Sequence, residues 1–281
     1  MNAQSPEFVV VGHVCQDLLP DGRLGLGGSV SYAATTAQRL GYRVGVVTSA
    51  GPDLDLAQAL PDTQVVCRPA DATTLFENIY HDGQRTQILH QRASVLTCQD
   101  IPPEWRQAPM VYLGSIDQEI EESVFHCFAP DSLIGVMPQG FFRRWDERGQ
   151  VGFIDWDPPT SLLERINLLV MSELDVPDPG RRAAEWARSA DIVVVTHAER
   201  GATAYCAGEV CHFPPRPAHQ VDPTGAGDVF SAAFLIRLAE TGDARQAAGF
   251  ANVVASFSVE EMGIAGIPWR RCVEDYILSA A

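Results

Sequence analysis

Short β-branched runs, each closed by a glycine or a polar residue, recur along this chain with helix-like patterns between them. Residues 8–11 (Phe-Val-Val-Val) stop at Gly12 and read as a fully buried strand. Residues 29–41 carry a small-residue helical pattern that ends on Gly41, and 44–48 (Val-Gly-Val-Val-Thr) read as the next strand, before the turn Gly51-Pro52-Asp53. Strand, helix and strand in that order imply a right-handed parallel crossover. The alternation resumes with strand patterns at 110–113, 133–136, 151–154, 168–171 and 191–196 and a hairpin turn at Gly208. Apolar helices follow Asp228 and cover 243–259, and a terminal helix covers 269–278. The pattern predicts one α/β domain over 1–281, with a central, mostly parallel sheet flanked by helices.

Residues 65–95 behave differently. Three strand-like runs, at 65–68, 73–80 and 85–91, follow one another without a helix, and His81-Asp82-Gly83 supplies a hairpin turn between the last two. This β insertion reads either as a lid over a site or as an edge hairpin of the main sheet.

Charge narrows the function classes. Twenty basic residues stand against 36 acidic ones, a net charge of -16, which argues against nucleic acid or an anionic membrane as partner and for a small molecule. All 20 basic residues are arginine. Without lysine there is no Walker A loop, no protein-kinase strand lysine and no Schiff base to pyridoxal phosphate, so any phosphate must be handled by backbone N–H groups, metal ions and arginine. The seven scattered cysteines form no C-x-x-C pair and are expected as buried apolar thiols rather than a disulfide framework or zinc site. The N-terminus lacks a signal core and no apolar run approaches the roughly 20 residues of a membrane span, so a cytoplasmic protein is expected.

The richest stretch is Asp222-Pro-Thr-Gly-Ala-Gly-Asp228, which runs straight into an apolar helix. The backbone N–H groups of Gly225 and Gly227 can close on an anion at the helix start, and the helix dipole favours an ionised Asp228 able to accept a hydroxyl proton. A plain helix cap, with Asp222 or Thr224 as N-cap, fits the same residues. Asp17, just past the first strand, is either an acceptor for substrate hydroxyls or a loop acid in water. Residues 22–28 end in the pair Gly27-Gly28, which permits close approach of a ligand but is no dinucleotide fingerprint, because Val30 stands where the third glycine belongs. Ser115, Gln139, Asp155, Ser172 to Asp175 and Thr196 follow apolar strands and can line one crevice, although each also reads as a cap or turn residue. Asn252, in the middle of an apolar helix, needs a hydrogen-bond partner.

Assembled in order, these motifs resemble the ribokinase-like (PfkB-type) carbohydrate kinase family over nearly the whole chain. Residues 222–228 are similar to its D-x-T-G-A-G-D signature, Gly12 with Asp17 to its first-strand sugar motif, Thr196 to Gly201 to its nucleotide turn, and Asn252 with Gly263 to its asparagine-to-glycine spacing. The resemblance implies ATP as phosphoryl donor, Asp228 as base and the amides of Gly225, Ala226 and Gly227 as an anion hole. It implies substrate contacts at Asp17, Gly27, Gly28, Ser29 and Gln139, and nucleotide contacts at Ser172, Thr196, Gly201, Gly225, Gly227 and Asn252. Mg²⁺ is expected near Glu173 and Asp175, and a potassium or sodium site at Asp222, Thr224 and Gly263.

Departures from the family pattern bear on substrate. Tyr32 replaces an asparagine after the glycine pair, and Cys15 another that touches sugar hydroxyls, which argues against ribose. The segments around 12–17, 26–32 and 172–175 look most like the branch containing plant myo-inositol kinases, which points to a polyol or cyclitol. A nucleoside kinase of the same family and a non-catalytic sugar or nucleotide sensor are the competing readings. A monomer or homodimer is expected.

Overall fold

The computed structural model describes residues 5–81 and 84–280; the expected turn at Asp82-Gly83 lies outside the described residues. The strands are β1 (Phe8–Val11), β2 (Cys15–Leu18), β3 (Leu24–Gly27), β4 (Val44–Ala50), β5 (Gln64–Pro69), β6 (Thr74–His81), β7 (Gln84–Gln91), β8 (Met110–Gly114), β9 (Leu133–Met137), β10 (Arg143–Trp145), β11 (Val151–Phe153), β12 (Leu168–Ser172), β13 (Ile192–Thr196), β14 (Ala202–Cys206) and β15 (Glu209–Phe213). The α-helices are α1 (Ser29–Arg39), α2 (Leu56–Ala59), α3 (Thr160–Leu163), α4 (Pro179–Trp186), α5 (Ala226–Thr241), α6 (Ala244–Ser258) and α7 (Arg270–Ala280).

Nine strands form one sheet in the order β15-β14-β13-β12-β9-β8-β1-β4-β5. From β13 to β5 every neighbouring pair is parallel, and β14 and β15 extend the far edge antiparallel. All residues of β1 and β4 are buried, because a parallel sheet is covered on both faces. The strand period of two sorts the valines: Phe8 and Val10 pack with α1 and α5, while Val9 and Val11 pack on the other face with Trp105 and Trp186. Residues 229–236 of α5 are buried without exception, as expected for a helix that is apolar all round. That helix lies against β8, β9 and β12 and between α1 and α6, so its first turn is fixed at the carboxyl ends of the central strands.

A second, four-stranded sheet has the order β3-β2-β6-β7. Its composition differs from the reading of 65–95 as one unit: 64–69 forms β5 and pairs with β4 on the edge of the main sheet, and the small sheet draws on β2 and β3 instead. Residues 151–154, expected in the main series of strands, form only the three-residue β11, which pairs with β10 in a hairpin. Gly149 turns that hairpin, and its carbonyl accepts the N–H of Leu89, so the hairpin is pinned to β7. Cys98 and Cys127 are paired as a disulfide with Cα atoms 5.5 Å apart, a correction to the expectation of free thiols at every position. Among the described residues no helix is long and apolar enough to cross a membrane.

Candidate active site at the strand ends

The carboxyl ends of the parallel strands and the inner face of the small sheet line one cavity of about 790 Å³. Helix α5 begins on it. Gly225 is the N-cap, with φ 74°, and a Cβ there would come within 2.2 Å of the Tyr32 ring, so neither the backbone nor the space admits a side chain. The Ala226 N–H turns back to the Pro223 carbonyl at 3.2 Å, which ties one of the three expected anion-hole amides to the chain itself.

Asp228 occupies the first turn of α5 and faces the cavity. Its Oδ1 accepts the hydroxyl of Tyr112, from β8, at 2.7 Å. Burial pushes the carboxyl up to about 6, against the pull of hydrogen bonds from Tyr112 and Ser29 and of the Arg143 charge, while Asp175 adds to the rise. The helix dipole was expected to favour the ionised form; desolvation outweighs the groups that favour it, and the result is a carboxylate with useful basicity near neutral pH.

Asp17, on β2, lies across Gly27: a Cβ on Gly27 would sit 2.2 Å from Asp17 Oδ2, so the missing side chain is what lets the carboxylate lie there. Asn78 Nδ2 reaches Asp17 Oδ1 at 3.5 Å, and Gln87 Nε2 donates to Asn78 Oδ1 at 3.0 Å. Asp17, Gly28, Ser29 and Gln139 line the same cavity as Asp228, with Gly27 directly behind Asp17. Ser172, Thr196, Gly201 and Asn252 line its other end. The Asn252 amide finds the partner its position demanded, donating to the carbonyls of Phe213 at 2.8 Å and Pro214 at 3.3 Å.

The two acids expected together near Mg²⁺ separate. Asp175 lines the cavity, accepting the Ser172 N–H at 2.7 Å and approached by Gln139 Nε2 at 3.4 Å. Glu173 turns away to Arg200, 2.6 Å from its Oε1, and to His197, 3.0 Å from its Oε2, and it is absent from the cavity lining. Of these two acids only Asp175 faces the cavity, and one such carboxylate suits Mg²⁺, which keeps several waters and shares substrate phosphates. Asp222, Thr224 and Gly263 do come together: Asp222 accepts the Thr224 N–H at 3.0 Å and the Gly263 N–H at 2.9 Å, with Thr224 on the cavity wall.

Two crevice candidates fall elsewhere. Ser115 is buried and donates to Glu119 at 2.9 Å. Asp155 pairs with Arg182 at 2.6 Å on the surface, because β11 is a hairpin strand and not part of the main sheet. Tyr112, Asn78, Gln87 and Arg143 were not anticipated. A lone phenol in an otherwise aliphatic strand was a signal for Tyr112, since a buried hydroxyl seeks a partner. Asn78 and Gln87 share the inward face of their hairpin with Phe76 and Leu89, a period-two relation visible only once the register is known.

A buried carboxylate of raised basicity beside helix-start amides, with a second carboxylate across one cavity, can deprotonate a hydroxyl and steady a transferring anionic group. This is the chemistry of a phosphotransferase with an alcohol acceptor. Residues 167–270 match the model of the pfkB family carbohydrate kinase. The chain is 29% identical to inositol 3-kinase of Oryza sativa subsp. japonica over 280 residues, 92% of this chain and 69% of that one. A pyrophosphate-dependent kinase in the ribokinase family, complexed with a pyrophosphate analog and myo-inositol, matches with TM-score 0.81 and 22% identity over 96% of this chain and 99% of that one. Arabidopsis thaliana ribokinase, complexed with ribose and ATP, matches with TM-score 0.75 and 23% identity over 97% and 98%. The chain thus has a ribokinase-like fold, and its residues 167–270 are similar to the pfkB family of carbohydrate kinases.

Proposed function

We propose that the protein transfers the γ-phosphoryl of ATP to a hydroxyl of a small polyol or cyclitol, with myo-inositol as the first candidate. The observation that carries this reading is the Asp228 carboxyl at the start of α5, held by Tyr112 and facing the same cavity as Asp17. Asp17 holds acceptor hydroxyls, Asp228 takes the proton of the reacting one, and the amides of Gly225 and Gly227 meet the charge on the transferring phosphoryl. Ser172, Thr196, Gly201 and Asn252 form the nucleotide end, and the small sheet, which carries Asp17, is the lid over the acceptor end. Asp175 is the residue that would hold Mg²⁺, which when bound neutralises phosphate charge. Asp222, Thr224 and Gly263 shape a potassium or sodium site beside the helix start.

The likeness to a pyrophosphate-dependent kinase that binds myo-inositol favours one second reading, with pyrophosphate as donor. A single experiment separates them: turnover of a panel of inositols, hexoses, pentoses and nucleosides, each with ATP and with pyrophosphate. ATP-dependent phosphorylation of a cyclitol supports the first reading, pyrophosphate-only turnover the second, and a preference for nucleosides would replace the acceptor class. Asp228→Asn should lower kcat about 10³-fold while nucleotide affinity stays near that of the wild type.

A further inference from the structure

Tyr112 stands in the middle of β8, fully buried, between Val111 and Leu113. A phenol so placed must find a hydrogen-bond partner, and its hydroxyl ends 2.7 Å from Asp228 Oδ1. Burial and the neighbouring Asp228 charge push the phenol far above its ordinary range, so at working pH it donates and does not ionise. The surroundings make room for this arrangement. A Cβ on Gly114 would lie 2.8 Å from the Tyr112 ring and 2.7 Å from Ser29 Cβ, so the glycine leaves space for both hydroxyl residues that hold Asp228.

We propose that Tyr112 is a positioning residue for phosphoryl transfer: its hydroxyl occupies Oδ1 of Asp228 and leaves Oδ2 to receive the acceptor's proton. The proposal rests on the reading of Asp228 as base. Four groups face that carboxyl besides Tyr112. Ser29 from α1 and Arg143 from the β10–β11 hairpin favour the ionised form, Asp175 opposes it, and Tyr32 from α1 stands neutral nearby. Tyr112 is the partner held immobile, since its ring is locked in the sheet. Removing its hydroxyl strips a donor from an already desolvated carboxylate and makes Asp228 a group that ionises at higher pH.

The test is the pH profile of kcat/KM for Tyr112→Phe, with the acceptor and donor found active. The acid limb is expected to move up by about one pH unit, with activity down about fivefold at pH 6 and within about threefold at pH 9. Melting temperature and donor binding report on folding. If Tyr112→Phe does not fold, 3-fluorotyrosine placed at 112 keeps the ring and makes a stronger donor, so the limb moves down instead. An acid limb unmoved by either change overturns the proposal, whatever the effect on stability. Asp228→Asn distinguishes the two failures: wild-type turnover in that variant refutes the base itself, whereas an inactive Asp228→Asn beside an unshifted Tyr112→Phe refutes only the role of Tyr112.

Discussion

Gly263 donates its backbone N–H to Asp222 Oδ2 at 2.9 Å across 41 residues of sequence, while Asp222 Oδ1 takes the Thr224 N–H at 3.0 Å. One carboxylate thus straps the segment entering α5 to the short helix Gly263–Gly266 that follows α6. Burial works against the charge, but the Thr224 and Gly263 bonds win and hold the carboxyl below its ordinary value. Asp222→Ala is expected to cost about 1 kcal/mol, at the low end for a charged acceptor because the group is half-exposed. It should also raise the donor KM several-fold by loosening the helix start. A depressed folded value gives stability that is present above the unfolded value, 3.8, and lost as pH falls through the folded one. Denaturant melts of the two proteins should therefore differ at pH 7 and draw together as pH falls below 3.8; a difference that does not shrink in acid would assign the effect to packing.

The opposite sign applies at Asp228. Its folded value near 6 lies above the ordinary 3.8, so the fold prefers the protonated carboxyl and ionisation at neutral pH is a standing cost. Asp228→Asn, whose side-chain carbonyl can still accept from Tyr112, should melt higher than the wild type at pH 8. The gain is about 1–3 kcal/mol, with the cavity water favouring the lower figure. It should fade as pH falls from about 6 to about 4, below which both states of the wild type are protonated. Thermal melts at pH 8 and pH 4 check this, and equal stability at pH 8 would mean the carboxylate is better solvated than its surroundings indicate.

What could be read from the chain in advance was what neighbouring residues decide among themselves. The glycine-started helix at 225–228 and the buried strands at 8–11 and 44–50 carry their pattern within a few positions. Strand β2 escaped because its partners are set by pairing with β3 and, across the chain, with β6, where Cys15 lies opposite Thr74. The run at 151–153 has a strand's composition, but only the β10 hairpin gives it a partner. Glu173 was assigned by analogy with a metal motif, and the turn that brings Arg200 and His197 onto it left no local trace. Cys98 and Cys127, 29 residues apart, likewise meet through the fold alone.

Gly225 and Gly227 are both glycines of the expected anion hole, yet they should respond differently to alanine. At Gly225 the new Cβ meets the buried Tyr32 ring at 2.2 Å and the left-handed backbone resists any side chain. At Gly227 it meets only the end of the flexible Met137 side chain, at 3.0 Å. Gly225→Ala is expected to lose about 2–4 kcal/mol and at least about 100-fold in turnover, whereas Gly227→Ala should melt within about 1 kcal/mol of the wild type. Adding Tyr32→Ala to Gly225→Ala removes the clash but not the backbone strain, so only partial recovery of stability is expected. Full recovery would show that space alone requires the glycine.

Behind the cavity, His13, Asp117 and Glu119 form a buried cluster in which His13 Nε2 donates to the Ser94 carbonyl at 2.8 Å and Nδ1 lies 3.3 Å from Asp117 Oδ1. Glu119 is consumed by the N–H groups of His13, Ile116 and Asp117 and by the Ser115 hydroxyl. Burial works against an imidazolium here, but Asp117 and Glu119 outweigh it and the His13 value rises above 6.5. Thr74 and Ser94, which flank the hairpin of β6 and β7, both bond to this ring, so the charge pair ties the stalks of the small sheet to the end of β1. His13→Gln leaves Asp117 with only the longer pairing to Arg92, 3.7 Å away, and is expected to cost about 3 kcal/mol. A raised histidine gives stability that is complete below the unfolded value and lost as pH rises through the folded one, so wild-type stability should decline above pH 6.5 with a slope that His13→Gln abolishes. If the small sheet serves as the lid, the same variant raises the acceptor KM more than the donor KM. Denaturant titrations at pH 6 and pH 8.5 read the slope, and an identical slope in both proteins would mean that His13 is neutral in the fold and the cluster is held by hydrogen bonds alone.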